Sequence, residues 1–255
     1  MMSADAIYEG ILRDLKAGRF DRALPATEHF LEVENRSQRS LEIRAIALLH
    51  SGMHHEAAAT LRACIAEFGE TGSCLTNLAK TQSLNGNAEQ SIATLRRALT
   101  LDPNQNGALM WYAAICRDAE GQAGYANALK EIDALPNSWR AGLWFAREDL
   151  NRGFVEVAVR HYERALASAY DSDALMMISG DLGARSYPDE AIRLVAPRYL
   201  PSQHGEKVGL NLLNAYFDAK RKLEGLTLLE QMHQTFGSIL EPHTQKFRQL
   251  FSGLP

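Results

Sequence analysis

The sequence predicts an all-α fold made by stacking helix pairs, and three observations carry that expectation. Gly18, Gly52 and Gly86 stand 34 residues apart, each interrupting an otherwise helical stretch. A small residue recurs at Ala23, Ala57, Ser91, Ala128, Ala158, Ala191 and Gly225, at nearly the same period. A second series, Ile11, Ala45, Ala79, Ala113, Ala146, Ser179 and Leu213, advances by 33 or 34 residues at every step. One period shared by independent series marks a solenoid, in which each helix pair buries its apolar face only against its neighbours.

The clearest unit is 72–105. Leu75, Leu78, Ala79 and Gln82 share one helical face, and Gly86 breaks the helix. Ser91, Leu95 and Ala98 mark a face of the second helix, which Pro103 follows, because proline cannot continue a helix. The same reading along the chain gives pairs at 4–17 with 20–33, 38–51 with 54–68, and 72–85 with 88–101. Next come 106–119 with 124–135, joined by a longer turn GQAGY, and 138–151 with 154–168, turning at Gly153. The sixth pair, 173–184 with 188–197, holds Pro188 and Pro197 with Pro201 just beyond, so its second helix is expected to be short. The seventh is 205–219 with 222–236. Residues 242–252 form an amphipathic helix, apolar through Phe247, Leu250 and Phe251 and polar through Gln245, Lys246, Arg248 and Gln249. That pattern suits a terminal cap, whose outer face must be polar; the alternative is a helix that binds a partner or pairs two chains as a homodimer.

These residues carry a resemblance. Leu78, Ala79, Ser91, Leu95, Ala98 and Pro103 in one unit, and Phe145, Ala146, Ala158, Tyr162 and Ala165 in another, resemble the pattern of the tetratricopeptide repeat. The resemblance covers nearly the whole chain as one solenoid over 1–255, with repeats near 4–37, 38–71, 72–105, 106–138, 139–171, 172–205 and 206–239 and the cap at 242–252. It implies a right-handed superhelix of about seven repeats whose first helices line a concave face.

Composition excludes several classes. The chain has 27 basic and 31 acidic residues and a net charge of −4, which offers no footprint for a phosphate backbone, so nucleic acid is not an expected partner. There is no run of 18 apolar residues to span a membrane, and the first twenty residues lack the basic-then-apolar layout of a secretion signal. Cys64, Cys74 and Cys116 are an odd number without paired spacing, as in a reduced, cytoplasmic protein. Cys64 falls where Ala98 and Ala165 fall in other units, as a small core residue.

No catalytic motif is present: no glycine-rich phosphate loop, nucleophile elbow or paired carboxylates. His50 and His54 are four apart but straddle a predicted turn, and no cysteine or carboxylate completes a ligand set there, so no metal or cofactor is expected. Binding is the better hypothesis. On the first helices the inward series is Ile43, Asn77, Trp111, Trp144, Met177 and Asn211, flanked by Lys80, Arg140, Arg147 and Asn214. Asn77, Lys80, Trp111, Arg140, Trp144, Arg147, Met177, Asn211 and Asn214 together describe a peptide-binding groove. Tryptophan gives a large stiff contact at low entropy cost, asparagine can hold a peptide backbone, and Lys80 with Arg147 can bind a carboxylate. Against this, the tryptophans can instead pack between helices and the charges can be ordinary solvated groups. The carboxylate clamp of some chaperone-binding relatives lacks its residues here, since Glu42, Ile46, Gly107 and Trp111 stand where Lys, Asn, Lys and Arg are needed.

The function expected is therefore a non-enzymatic scaffold or adaptor holding a protein segment with acidic and apolar residues. The alternatives are a self-assembling structural protein and an accessory subunit of a separate enzyme or secretion system.

Overall fold

The computed structural model describes residues 3–169 and 171–254 and contains, among them, helices and no strand. It divides into two compact units, Met1–Ala128 and Leu129–Pro255.

The first unit holds α1 (Ala4–Lys16), α2 (Phe20–Val33), α3 (Gln38–His50), α4 (His54–Phe68), α5 (Gly72–Leu84), α6 (Ala88–Leu101) and most of α7 (Asn106–Asp133). The first helices of the pairs begin on side-chain caps. The Ser3, Ser37 and Thr71 hydroxyls accept from Ala6, Ser40 and Cys74 N–H groups, each satisfying a donor that the first turn leaves over. Apolar residues then face inward in order, Ile7 and Ile11 with Phe30, Leu41 and Ala45 with Leu61 and Cys64.

The second unit holds α8 (Arg140–Asn151), α9 (Val155–Ser168), α10 (Ser172–Gly183), α11 (Pro188–Val195), α12 (Pro201–Asp218), α13 (Lys222–Phe236) and α14 (Glu241–Ser252). Its core is one continuous cluster from Trp139 through Tyr162, Leu175 and Leu212 to Phe251.

One turn joins the two helices of almost every pair. Gly18, Gly52, Gly86 and Gly153 have φ between 70° and 82°. The residue that follows each donates its N–H to the carbonyl five positions back, as in Asn87 to Gln82 at 2.8 Å and Phe154 to Asp149 at 2.8 Å. This closes the first helix by satisfying orphan carbonyls while the left-handed residue turns the chain. That same following residue, with φ near −90° and ψ near 63°, is the cap from which the second helix starts, as at Arg19 and Asn87. The last two pairs make the same turn without glycine: Ser186 at φ 60° and Lys220 at φ 58°, with Tyr187 bonding back to Leu182 and Arg221 to Tyr216.

Both periodic series of small residues lie at the crossings. Ile11, Ala45, Ala79, Ala113, Ala146, Ser179 and Leu213 are each 2% exposed or less, as are Ala23, Ala57, Ser91, Ala128, Ala158 and Ala191. At Gly225 a Cβ would stand 2.2 Å from the Phe251 ring, so the absent side chain is what lets α14 lie against α13. Thr244, Phe247 and Phe251 of α14 are buried, while Gln245, Lys246, Arg248 and Gln249 face outward.

Three elements differ from the sequence reading. The turn expected over 121–125 shrinks to Gly121 alone, with φ 68° and ψ −156° between helical stretches, because one residue free of a Cβ can take the whole change of direction. Helix α12 starts earlier than expected, at Pro201, and bends at Gly205. There the imidazole Nδ1 of His204 accepts the Leu200 N–H at 2.9 Å and caps the added turn. Helix α11 ends at Val195 and is continued by a 3-10 turn Ala196–Arg198, since Pro197 supplies no N–H.

Two stability outcomes follow from this geometry. Ala158→Leu adds volume at a fully buried crossing and should lower the unfolding free energy by about 1–3 kcal/mol in urea titrations, whereas the exposed Ala59→Leu should change it little. Lys220→Gly should raise it by about 0.5–1 kcal/mol, because the left-handed conformation is strained for lysine and not for glycine. No gain from Lys220→Gly would mean that the turn is not the strained element it is taken to be.

Candidate functional site

The first-helix face of each unit can be built from its own residues. In the first unit, α1, α3 and α5 border an open cavity of about 360 Å³ lined by Tyr8, Gln38, Arg39, Glu42, Ile43, Ile46 and Ser73. Arg39 lies with its guanidinium carbon 4.0 Å from the Tyr8 ring centroid, and donates to Asp5 at 2.9 Å. The Asp5 hydrogen bond, foremost, raises the basicity of Arg39. The Asn77 amide donates to Ser73 of its own helix at 3.1 Å, Lys80 is exposed, and Trp111 on α7 is half-buried. Ile43, read as a groove position, is only 2% exposed and belongs to the core around Phe30.

In the second unit, Arg140, Trp144 and Arg147 stand at i, i+4 and i+7 of α8. Arg140 is buried, lies over the Trp139 ring at 4.4 Å, and donates to Asp173 of α10 at 3.1 Å. Arg147 stacks on Trp144 at 4.4 Å and gives its Nε–H to both oxygens of Asp181 at 2.9 and 3.0 Å. Asp181 is itself buried and also accepts from Tyr162 Oη at 3.0 Å, with Arg185 at 3.8 Å. Burial, and then the Asp181 charge, push the Tyr162 phenol well above its usual range. Met177 is half-buried against the core, and the Asn211 amide donates to Ser179 Oγ at 3.0 Å. Asn214 is exposed and donates to Leu210 of its own helix at 3.0 Å.

Arg147, read with Lys80 as a ligand for a carboxylate, therefore already holds Asp181 of this chain, and the groove residue Arg140 holds Asp173, each one period further on. A charge committed to a half-buried internal pair is a poor anchor for a second anion, since recruiting it would strand the first. Sequence spacing contained that signal, because the acids lie 33 and 34 residues after the arginines.

His50 is exposed and stacks on Phe20 at 5.3 Å, and His55 is exposed. The sequence reading missed another group altogether. Glu42, Cys64 and Cys74 bring three potential ligand atoms within 4.8 Å of one another. The Cys74 thiol lies 3.5 Å from Cys64 Sγ and 3.2 Å from Glu42 Oε1. Burial, first of all, raises both thiols.

Residues 8–69 match the tetratricopeptide repeat family model. The match lies over α1 to α4. A comparison with curated proteins finds no match. Among solved structures, the complex Naa15/Naa10 bound to HypK-THB is similar at 16% identity and a TM-score of 0.45, over 97% of this chain and 38% of that one. The chain thus spans well under half of that relative. TTC0263, a thermophilic repeat protein of Thermus thermophilus, is similar at 19% identity and a TM-score of 0.45, over 71% of this chain and 99% of that one. A tetratricopeptide repeat protein from Parabacteroides merdae is similar at 13% identity and a TM-score of 0.41, over 98% and 99%.

Removing one donor to the buried carboxylate tests the network between α8, α9 and α10. Tyr162→Phe should cost about 0.5–1.5 kcal/mol, and Asp181→Leu more, about 3–5 kcal/mol, because it leaves Arg147 unpaired. Urea unfolding measures both; equal small losses would show that Asp181 is solvated and not the centre of the network.

Proposed function

We propose that the chain is a non-enzymatic scaffold that binds a protein segment on the first-helix faces of its tetratricopeptide repeats, in a reducing, cytoplasmic setting. Tetratricopeptide-repeat proteins commonly mediate protein–protein interaction, and among the described residues no helix is long and apolar enough to cross a membrane. The observation that carries the reading is Trp144 and Met177, half-buried on the neighbouring first helices α8 and α10, beside arginines whose charge is already matched. Beside those matched arginines the face carries an indole, a thioether and amide groups. Such a face suits an apolar segment held by packing and by hydrogen bonds from groups such as Asn214, more than an acidic one held by ion pairs. On the first unit's own first-helix face, exposed Lys80 is a cation that can meet an acidic residue of a bound segment.

The apolar side of α14 favours this reading over pairing of two chains through that helix. Phe247 and Phe251 are at most 2% exposed, so pairing through them would first require undocking α14.

Affinity capture from lysate, quantified by mass spectrometry, tests the assignment with Trp144→Ala/Met177→Ala, Lys80→Glu and, as a control away from these faces, Arg62→Glu. A tryptophan anchor is worth about 2 kcal/mol or more, so the double variant should reduce recovery of the natural partner by roughly 30-fold at matched helicity. Lys80→Glu should weaken it less, and Arg62→Glu should leave it unchanged. Loss with Arg62→Glu and full recovery with the other two would place binding on the opposite side.

A further inference from the structure

We propose that Glu42, Cys64 and Cys74 form a zinc site that ties the second helix pair to the third. Each ligand comes from a different helix, α3, α4 and α5, and their ligand atoms lie within 4.8 Å of one another. Zinc bonds of about 2.3 Å to sulfur and about 2.0–2.2 Å to oxygen, set at tetrahedral angles, require S···S near 3.8 Å and S···O near 3.5 Å. Cys74 Sγ already lies 3.5 Å from Cys64 Sγ and 3.2 Å from Glu42 Oε1. Those two separations are a few tenths of an ångström from the tetrahedral values, and the third, Cys64 Sγ to Glu42, lies within 4.8 Å, inside the reach of side-chain rotation.

The surroundings hold these ligands in place. The Gln38 amide donates to Glu42 Oε1 at 2.8 Å, and Thr71 Oγ1 lies 3.4 Å from the same oxygen. Thr71 also accepts the Cys74 N–H at 3.2 Å and so fixes the start of α5. Outer partners of this kind orient metal ligands. The donor set selects the ion: two sulfurs exclude calcium and magnesium, which demand oxygen, and two sulfurs with one carboxylate suit borderline zinc. Three protein ligands leave the fourth position to water or an incoming group. A disulfide would use the thiols but give the converged carboxylate no part, and would need Sγ atoms at about 2.05 Å and an external oxidant.

The proposal stands independently of the groove. The test uses the full chain, reduced with a phosphine, stripped with a chelator and titrated with Co²⁺ and then Zn²⁺. One equivalent of cobalt should give a thiolate-to-metal charge-transfer band with the intense visible absorption of a tetrahedral ion, and zinc should displace it. Zinc-edge X-ray absorption on the unsubstituted chain should show two sulfurs at about 2.3 Å and two lighter atoms. Cys64→Ser and Cys74→Ser should each remove the charge-transfer signal of the pair and weaken binding by about 100-fold or more, with Glu42→Gln weakening it by about 10-fold. Cys116→Ser should change nothing. A zinc shell without sulfur in the unsubstituted chain, no charge-transfer band at one equivalent, or binding that survives both serine substitutions would overturn the site.

Discussion

The structure depends on one residue per helix pair adopting a left-handed backbone. At Gly18, Gly52, Gly86, Gly153, Ser186 and Lys220 the chain takes a positive φ, and the next N–H returns to the carbonyl five positions earlier. That residue ends the first helix, and the one after it begins the second. Turn geometry therefore fixes the angle of the pair before any side chain packs. A fixed angle brings the two backbones together at a fixed distance along each helix, and small side chains fill most of those crossings, with Ile11 and Leu213 at the ends of one series. The two buried series of small residues are the consequence of the turn, repeated at its period.

The same period organises the polar contacts. Arg39 meets Asp5, Arg140 meets Asp173 and Arg147 meets Asp181, across 34, 33 and 34 residues. Each joins equivalent helices of successive pairs. The exposed example, with Asp5 83% solvent-accessible, is weak. The Asp181 network is different, because its carboxylate is buried and is satisfied by Arg147 and Tyr162 together. Such a centre adds little over a well-packed apolar alternative, yet one wrong neighbour leaves an unmatched charge. It therefore acts on register, holding α8, α9 and α10 in one relative position.

How much of this the sequence revealed depends on whether a feature repeats. The helix pairs and buried small residues recur seven times, so period alone located them. The turns at Ser186 and Lys220 were harder, since only glycine signals positive φ in a sequence while the hydrogen bond that enforces it is invisible. The partners of the groove arginines are a related case: Arg140 and Arg147 have the chemistry to hold a carboxylate, and the acids of this chain that they bond are apparent only once the period is applied to charge. The Glu42, Cys64 and Cys74 cluster does not repeat at all. Its members sit 22 and 10 residues apart, and only the packing of three helices brings them together.

Glu42 belongs to two settings at once, and this links the two halves of the functional reading. It lines the cavity of the first unit with Tyr8, Arg39, Ile43, Ile46 and Ser73, and it accepts from the Cys74 thiol behind that cavity. A carboxylate free in a binding face is a hydrogen-bond acceptor with a full negative charge. Held by a divalent ion, the same group is directed inward and its charge is largely matched. Arg39 in the same cavity keeps its own carboxylate partner in Asp5 at 2.9 Å, so its charge does not depend on Glu42. Glu42 is thus the one side chain shared by the cavity lining and the thiol cluster, and its role in the cluster is set by α4 and α5 and not by the cavity.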